Sequence, residues 1–210
     1  DQASLAQGRL RVTAPVSYGT RCLAPQVARF CQRYPGIALE LDLSDRYEDL
    51  VQAGYDLAIR IGALEDSSLI QRQLARLPFV YVASPAYLAH NAPVCQPSDL
   101  SQHAALVYTQ RDANPRWSFR GVDGTRLMVT PRPRLASNNG DILVEAALQG
   151  LGVAAVPRFF VEAALTDGKL IALLEDAGPP DLSLVAVYPA TRYLSRKARV
   201  FIDFLVSAAR

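Results

Sequence analysis

With 210 residues, half of them hydrophobic, the chain is long enough for one large domain or two small ones with a proper core. Its 22 basic and 20 acidic residues leave a formal charge of +2, which is not the strongly basic balance of a nucleic-acid binder. No apolar run reaches the length of a membrane span and no signal-peptide pattern is present, so the expected compartment is the cytoplasm. Cys22, Cys31 and Cys95 are odd in number and widely spaced, with no CxxC, which argues against a disulfide or a metal site. Cys22 and Cys31 read as semi-buried helix positions. The chain begins at Asp1 with the polar stretch DQASLAQ, as expected of a piece cut from a longer protein with an N-terminal portion missing.

In chain order, Arg9–Ala14 reads as a short strand that turns through Ala14-Pro15, with Ser17 placed to open a helix and cap its backbone N–H groups. Leu23, Val27, Phe30, Cys31 and Tyr34 then mark one face of that helix, which Pro35-Gly36 ends. Ile37–Leu43 alternates strictly as a strand. Ser44-Asp45 follows as the cap of a short helix, Tyr47–Ala53, closed by Gly54. Asp56–Ile61 is the next strand and stops at Gly62. The order β-α-β-α-β implies parallel strands with right-handed crossovers, whose ligands sit beyond the carboxyl ends of the strands. Those ends are Ala14–Ser17, Ser44–Arg46 and Arg60–Gly62.

Leu69–Arg76 and Pro78–Ala83 are extended, with a break at Leu77-Pro78. A short helix follows over Ser84–His90, then a strand over Ala105–Tyr108. Trp117–Phe119 and Leu127–Thr130 form a hairpin with Asp123-Gly124 at its turn. Arg134–Ala136 leads into a second capping cluster, Ser137–Asp141, before the helix Ile142–Gln149. Val153–Val156 is a buried strand and Pro157 opens a helix through Ala164. Leu170–Leu174 and Leu182–Tyr188 are extended, and Ser195–Ala208 is a terminal helix with Val200, Phe201, Phe204 and Leu205 inward. The division expected is 8–77 with 182–210 as one subdomain and 78–181 as the other, joined by two crossing strands around a cleft that can hinge.

Seven local patterns occur in order: GRLRVTAPVSYG, LSDR, YDLAIRIG, ASPAYLA, NNGD, GLGVAAVP and FIDFL. Together they resemble the effector-binding, or regulatory, domain of a LysR-type transcriptional regulator over nearly the whole chain. The resemblance implies an α/β, periplasmic-binding-protein-like fold of two Rossmann-like subdomains with a small organic effector, a carboxylate or phenolic compound, in the cleft. It implies that residues 1–7 end a linker helix from an N-terminal helix-turn-helix absent from this chain, through which alone DNA is bound. It further implies a homodimer of regulatory domains, a homotetramer at full length, and no membrane partner. The departure from the full family pattern is the missing DNA-binding region.

By the same resemblance, the effector's anionic group sits at the Ser17 turn. Ser44, Asp45 and Arg46 face it, and Ile61-Gly62 lines the floor. In the second lobe Tyr108, Asn138, Asn139, Pro157 and Arg158 border the cleft. Bland readings stand beside these: Asp45 as a structural helix cap, Arg60 as the partner of Asp56 or Glu65, Asn138-Asn139-Gly140 as an αL-tolerant turn. Trp117 reads as core rather than ligand stacking. Arg111, Arg116, Arg120, Arg126, Arg132 and Arg134 read as solvated strand faces, or as a basic surface that steers anions or meets a partner. Neither His90 nor His103 has a carboxylate or cysteine at catalytic or metal-ligand spacing, and GxSxG, HExxH, P-loop and GxGxxG motifs are absent. The expectation is therefore a sensor without catalytic residues, metal or cofactor. Two alternatives are a transporter's solute-binding protein of the same fold, and an enzyme for which Asp45 with Ser17 is the one pair to assemble.

Overall fold

The computed structural model describes residues 6–62, 69–109, 116–121, 123–190 and 193–208. It falls into two compact units, Asp1–Arg76 with Leu182–Arg210 and Leu77–Asp181.

Unit 1 is built on a five-stranded sheet in the order β2-β1-β3-β12-β4. These strands are β1 (Gly8–Ala14), β2 (Ile37–Leu43), β3 (Leu57–Ile61), β4 (Leu69–Leu77) and β12 (Leu182–Pro189). β1 runs parallel to β2 and to β3, and β12 runs antiparallel to β3. Between β1 and β2 the chain forms one continuous rod made of α1 (Val16–Tyr18), a π-helical stretch (Gly19–Leu23) and α2 (Ala24–Arg33). Pro25 explains the irregularity: it has no N–H and its ring crowds the carbonyl four residues back. The π turn just before it moves the Ala24 N–H onto the Gly19 carbonyl and absorbs the clash. Phe30 is fully buried and meets Phe201 edge-on at 4.8 Å and Phe204 at 5.4 Å. Burying that ring stabilises the fold by about 2–3 kcal/mol and clamps α2 against α6 (Arg196–Ala208). Ala198, Phe201, Ile202 and Leu205 face inward on α6, with Val200 and Phe204 half-buried at its flank.

Residues 47–53, expected as a helix, form turns instead. Tyr47 and Val51 are 54% and 44% exposed, and only Leu50, 5% exposed with Ala53 beside it, packs into the core, which an irregular turn achieves without a helix. Asp49 Oδ1 accepts from the Val51 and Gln52 N–H groups at 2.8 and 3.1 Å and holds the turn locally.

Unit 2 has a sheet in the order β11-β5-β10-β6-β9. Its strands are β5 (Phe79–Ala83), β6 (Ala104–Tyr108), β9 (Arg132–Ser137), β10 (Val153–Pro157) and β11 (Ile171–Leu173). β6, β9 and β10 are mutually parallel, while β5 is antiparallel to β10 and to β11. The expected hairpin is a separate ribbon of β7 (Trp117–Arg120) and β8 (Arg126–Val129). Trp117 is 7% exposed and packs on Tyr81 at 5.1 Å, so it belongs to the core. α3 (Pro85–Ala89) begins at Ser84, whose side chain accepts from the Tyr87 N–H, and α4 (Gly140–Leu148) begins at Asn139. The helix expected from Pro157 to Ala164 is broken into a 3-10 turn, Arg158–Phe160, and α5 (Glu162–Thr166), because Val161 turns fully inward at φ −120°.

Candidate functional site

The carboxyl edge of the unit 1 sheet brings together the ends of β1, β2 and β3. Pro15, not Ser17, holds the N-cap position of α1, and its ring offers no side-chain acceptor. Ser17 lies one residue inside the helix and is buried. The cap comes from elsewhere: Asp45 Oδ1 accepts from the Val16 N–H at 3.1 Å. The Ser44 N–H, bonded to the Ala14 carbonyl at 2.9 Å, ties the two strand ends together, and Ser44 Oγ accepts from the Arg46 N–H at 3.2 Å. That hydroxyl turn aims the Asp45 carboxylate at the positive end of the neighbouring helix rod, where a negative charge is favoured. Asp45 thus caps a helix, but the one that precedes it.

At the end of β3, Arg60 is 5% exposed. Its guanidinium donates to the Ile59 carbonyl at 3.0 Å and the Arg46 carbonyl at 3.2 Å, and lies 5.6 Å from the centre of the Tyr47 ring. Among the described residues no carboxylate stands within ion-pair distance of it. Asp56, one expected partner, pairs with Lys197 at 2.9 Å and accepts from the Arg11 N–H at 3.0 Å. Glu65, the other, lies outside the described residues. Burial lowers the Arg60 pKa, and the charge of Asp45 works against that lowering. The side chain remains a cation, because a guanidinium keeps its proton at any ordinary pH. A buried cation held, among the described residues, by neutral carbonyls and a ring face has capacity for an anion. Arg46, by contrast, is exposed, Ile61 is partly buried, and Gly62 is buried at φ +95° with its N–H on the Ser183 carbonyl at 2.6 Å.

The carboxyl edge of the unit 2 sheet carries the remaining expected residues. Tyr108 ends β6 opposite Ser137, which ends β9. Asn139 Oδ1 accepts from the Asp141 and Ile142 N–H groups at 2.9 and 3.4 Å, so its side chain caps α4. Asn138 is exposed beside it, and Pro157 ends β10. Arg158 is committed to Glu162 and Glu175 at 2.9 and 3.5 Å. Arg116, Arg120, Arg126, Arg132 and Arg134 are exposed, and Arg111 lies outside the described residues.

Two further observations had no signal in the sequence. His103 is 3% exposed, with Nδ1 3.1 Å from Tyr87 Oη, which itself accepts from the Ala104 N–H at 3.0 Å. His103 Nε2 is buried, with no hydrogen-bond partner among the described residues. Burial lowers the His103 pKa, opposed by the charge of Asp99. His90 is exposed and its ring bonds the Ala86 carbonyl at 2.9 Å. Cys22 is half-buried as expected, whereas Cys31 is exposed, because the buried stripe of the helix runs through Leu23 and Phe30 and leaves Cys31 to one side.

Comparison with known proteins supplies the family. The LysR substrate binding domain matches residues 3–210. The chain belongs to that family. An uncharacterised HTH-type transcriptional regulator of Haemophilus influenzae is 34% identical over 198 residues, 92% of this chain and 67% of the relative. The HTH-type transcriptional regulator PtxR of Pseudomonas aeruginosa is 35% identical over 94% of this chain and 63% of its own length. This chain therefore spans about two thirds of the curated relatives it matches. Among solved structures, the CrgA regulatory domain of Neisseria meningitidis, a LysR-type transcriptional regulator, superposes with a TM-score of 0.80 at 32% identity, covering 98% of this chain and all of that one. Full-length AphB of Vibrio cholerae gives 0.79 at 29% identity, over 96% of this chain and 69% of AphB. The fold is that of LysR-type regulatory domains, and the relatives are regulators rather than transporter solute-binding proteins. In this LysR domain no helix among the described residues is long and apolar enough to cross a membrane.

Proposed function

We propose that this LysR domain senses a small organic anion, a carboxylate or a phenolic compound, whose charged end is received at the carboxyl edge of the unit 1 sheet. Arg60 carries the reading: it is a buried guanidinium at a strand end with no carboxylate paired to it among the described residues. Ser17, Ser44, Asp45, Arg46, Ile61 and Gly62 form the surrounding wall, with Asp45 selecting against a second negative group and favouring a hydroxyl or amine donor. Tyr108, Asn138, Asn139 and Pro157 supply the corresponding edge of unit 2. The two units act as regulatory subdomains I and II, and the effector is bound without being turned over. Its differential affinity for two arrangements of the domain shifts their populations, and in a full-length homo-oligomer of the cytoplasm that shift reaches DNA-binding segments outside this chain.

The test is a thermal-shift screen of carboxylates and phenols, followed by calorimetric titration of the hits against wild type, Ser17→Ala and Arg60→Gln. A charge-assisted hydrogen bond contributes about 1.5–3 kcal/mol, so hits should bind Arg60→Gln roughly ten- to a hundredfold more weakly. Equal affinity for all the proteins would rule out the anion reading.

A further inference from the structure

A cavity of about 260 Å³ lies within unit 2, on the β5–β11 side of its sheet. Of the unit 2 residues expected at the cleft it shares only Arg158, which is held by Glu162 and Glu175, and in the sheet order β10 separates β5 from the β6–β9 side that carries Tyr108, Asn138 and Asn139. We propose that this cavity is a second ligand site, which takes a small zwitterion of the α-amino-acid class with an apolar side chain.

Part of the floor is apolar and fixed. Tyr81 is 1% exposed, stacked on Phe119 at 4.5 Å, and its hydroxyl donates to the Ser118 carbonyl at 3.1 Å. Phe79 and Leu173 extend that floor, so an apolar side chain resting there leaves water. The walls carry both signs of charge. Arg158 is already engaged by Glu162 at 2.9 Å and Glu175 at 3.5 Å, so it is not available to a ligand anion. What remains in the lining is Arg120 together with Asp176 and Asp181, none of them ion-paired among the described residues.

Arg120 has a specific reason to receive an anion. In the β7–β8 ribbon it is the direct cross-strand partner of Arg126, and like charges directly opposite each other destabilise a pair. A ligand carboxylate at Arg120 relieves that repulsion. The two aspartates match an ammonium, and one guanidinium with two carboxylates suits a ligand bearing one charge of each sign. The volume lies just below the range of about 300–1,000 Å³ found for drug-sized ligands, which limits the occupant to amino-acid size.

The probes are L-leucine and its two half-ligands, 4-methylpentanoate without the ammonium and 3-methylbutylamine without the carboxylate. Each is titrated into the intact chain and followed through backbone amide shifts. Leucine should give saturable shifts at Phe79–Tyr81 and Leu173–Asp176, at least tenfold tighter than either half-ligand. Arg120→Gln should weaken leucine at least tenfold and leave the amine unchanged. Asp176→Asn with Asp181→Asn should weaken leucine and the amine but not the acid. All three residues are exposed, so these variants keep the fold. Arg60→Gln should leave leucine binding unaltered, which separates this site from the effector site. Half-ligands that bind as well as leucine, indifference to both sets of substitutions, or no saturable shift at these residues would each overturn the proposal.

Discussion

The two helix starts at the sheet edges solve one physical problem in different ways. Each follows a strand of a parallel set, β1 for α1 and β9 for α4, and each must satisfy backbone N–H groups that have no partner within the helix. At α4 the answer is local: Asn139, the residue before the helix, turns its own amide oxygen onto Asp141 and Ile142. At α1 the preceding residue is Pro15, and the acceptor is Asp45, which lies 29 positions beyond the Val16 whose N–H it receives. The first arrangement forms as soon as the helix does. The second exists only once β2 has paired with β1, so it reports tertiary structure, and it places a full negative charge where the other has a neutral dipole.

That contrast is sharpest in a pair of truncations. Asp45→Ala removes a charged acceptor from a partly buried N–H and should lower stability by about 1.5–3 kcal/mol. Asn139→Ala removes a neutral cap and should cost about 1 kcal/mol. Urea denaturation followed separately in each unit, by amide exchange, should place the first loss in unit 1 and the second in unit 2. Equal losses would show that charge adds nothing at α1.

The same contrast separates what was legible in the sequence from what was not. The helix start at Ser84, the capping cluster at Asn139 and the ribbon around Asp123-Gly124 depend on neighbours a few positions apart, and the parallel order of β1, β2 and β3 follows from the β-α-β-α-β alternation. Ser17 lies in the expected turn, but Pro15 holds the N-cap position and Asp45 supplies the cap. The helix expected at Tyr47–Ala53 does not form, because its expected cap Asp45 serves α1 and Leu50 alone is buried while Tyr47 and Val51 stay in water. The sequence offers Arg60 either Asp56 or Glu65 as an ion-pair partner, and only the folded sheet shows Asp56 already held by Lys197. His103 carried no signal at all, since its burial depends on how Tyr87 and the 3-10 turn Pro97–Gln102 close over it. Charge partners and buried polar groups are long-range facts, whereas caps and turns are short-range ones.

A glycine near each helix start offers a second comparison. A Cβ on Gly19 would stand 2.3 Å from Leu43 Cδ2, the free end of a half-buried side chain that can rotate away. A Cβ on Gly140 would stand 2.5 Å from the Phe160 ring, which is stacked on Phe159 at 4.4 Å, so two rings would have to move. Alanine's better helix propensity returns up to about 1 kcal/mol in both cases. Gly140→Ala should therefore lose about 1–2 kcal/mol net, and Gly19→Ala less than about 1 kcal/mol. A larger loss at Gly19 in the same urea series would mean that Leu43 is as firmly held as the ring pair.

The smallest effect concerns pH and again divides the units. Arg60, the buried cation of unit 1, does not titrate in the accessible range, whereas His103 in unit 2 does. Its pKa in the folded state lies below the ordinary 6.5, because burial disfavours the charged ring and Asp99 restores only part of that loss. Above about 6.5 the imidazole is neutral in both folded and unfolded chains, and its contribution does not depend on pH. As pH falls below that value the unfolded chain takes up the proton first, so unit 2 loses stability, at a limiting slope of about 1.4 kcal/mol per pH unit from this one group. The loss levels off only below the folded pKa. Trp117, the one tryptophan of the chain, sits in the same buried cluster as Tyr87 and Leu100, so its fluorescence follows the unfolding of this unit. His103→Gln keeps an acceptor for the Tyr87 hydroxyl but removes the titration. Denaturation midpoints read at Trp117 should then show a shallower fall below pH 6.5 than in wild type, and an unchanged fall would place the acid sensitivity of unit 2 on its carboxylates instead.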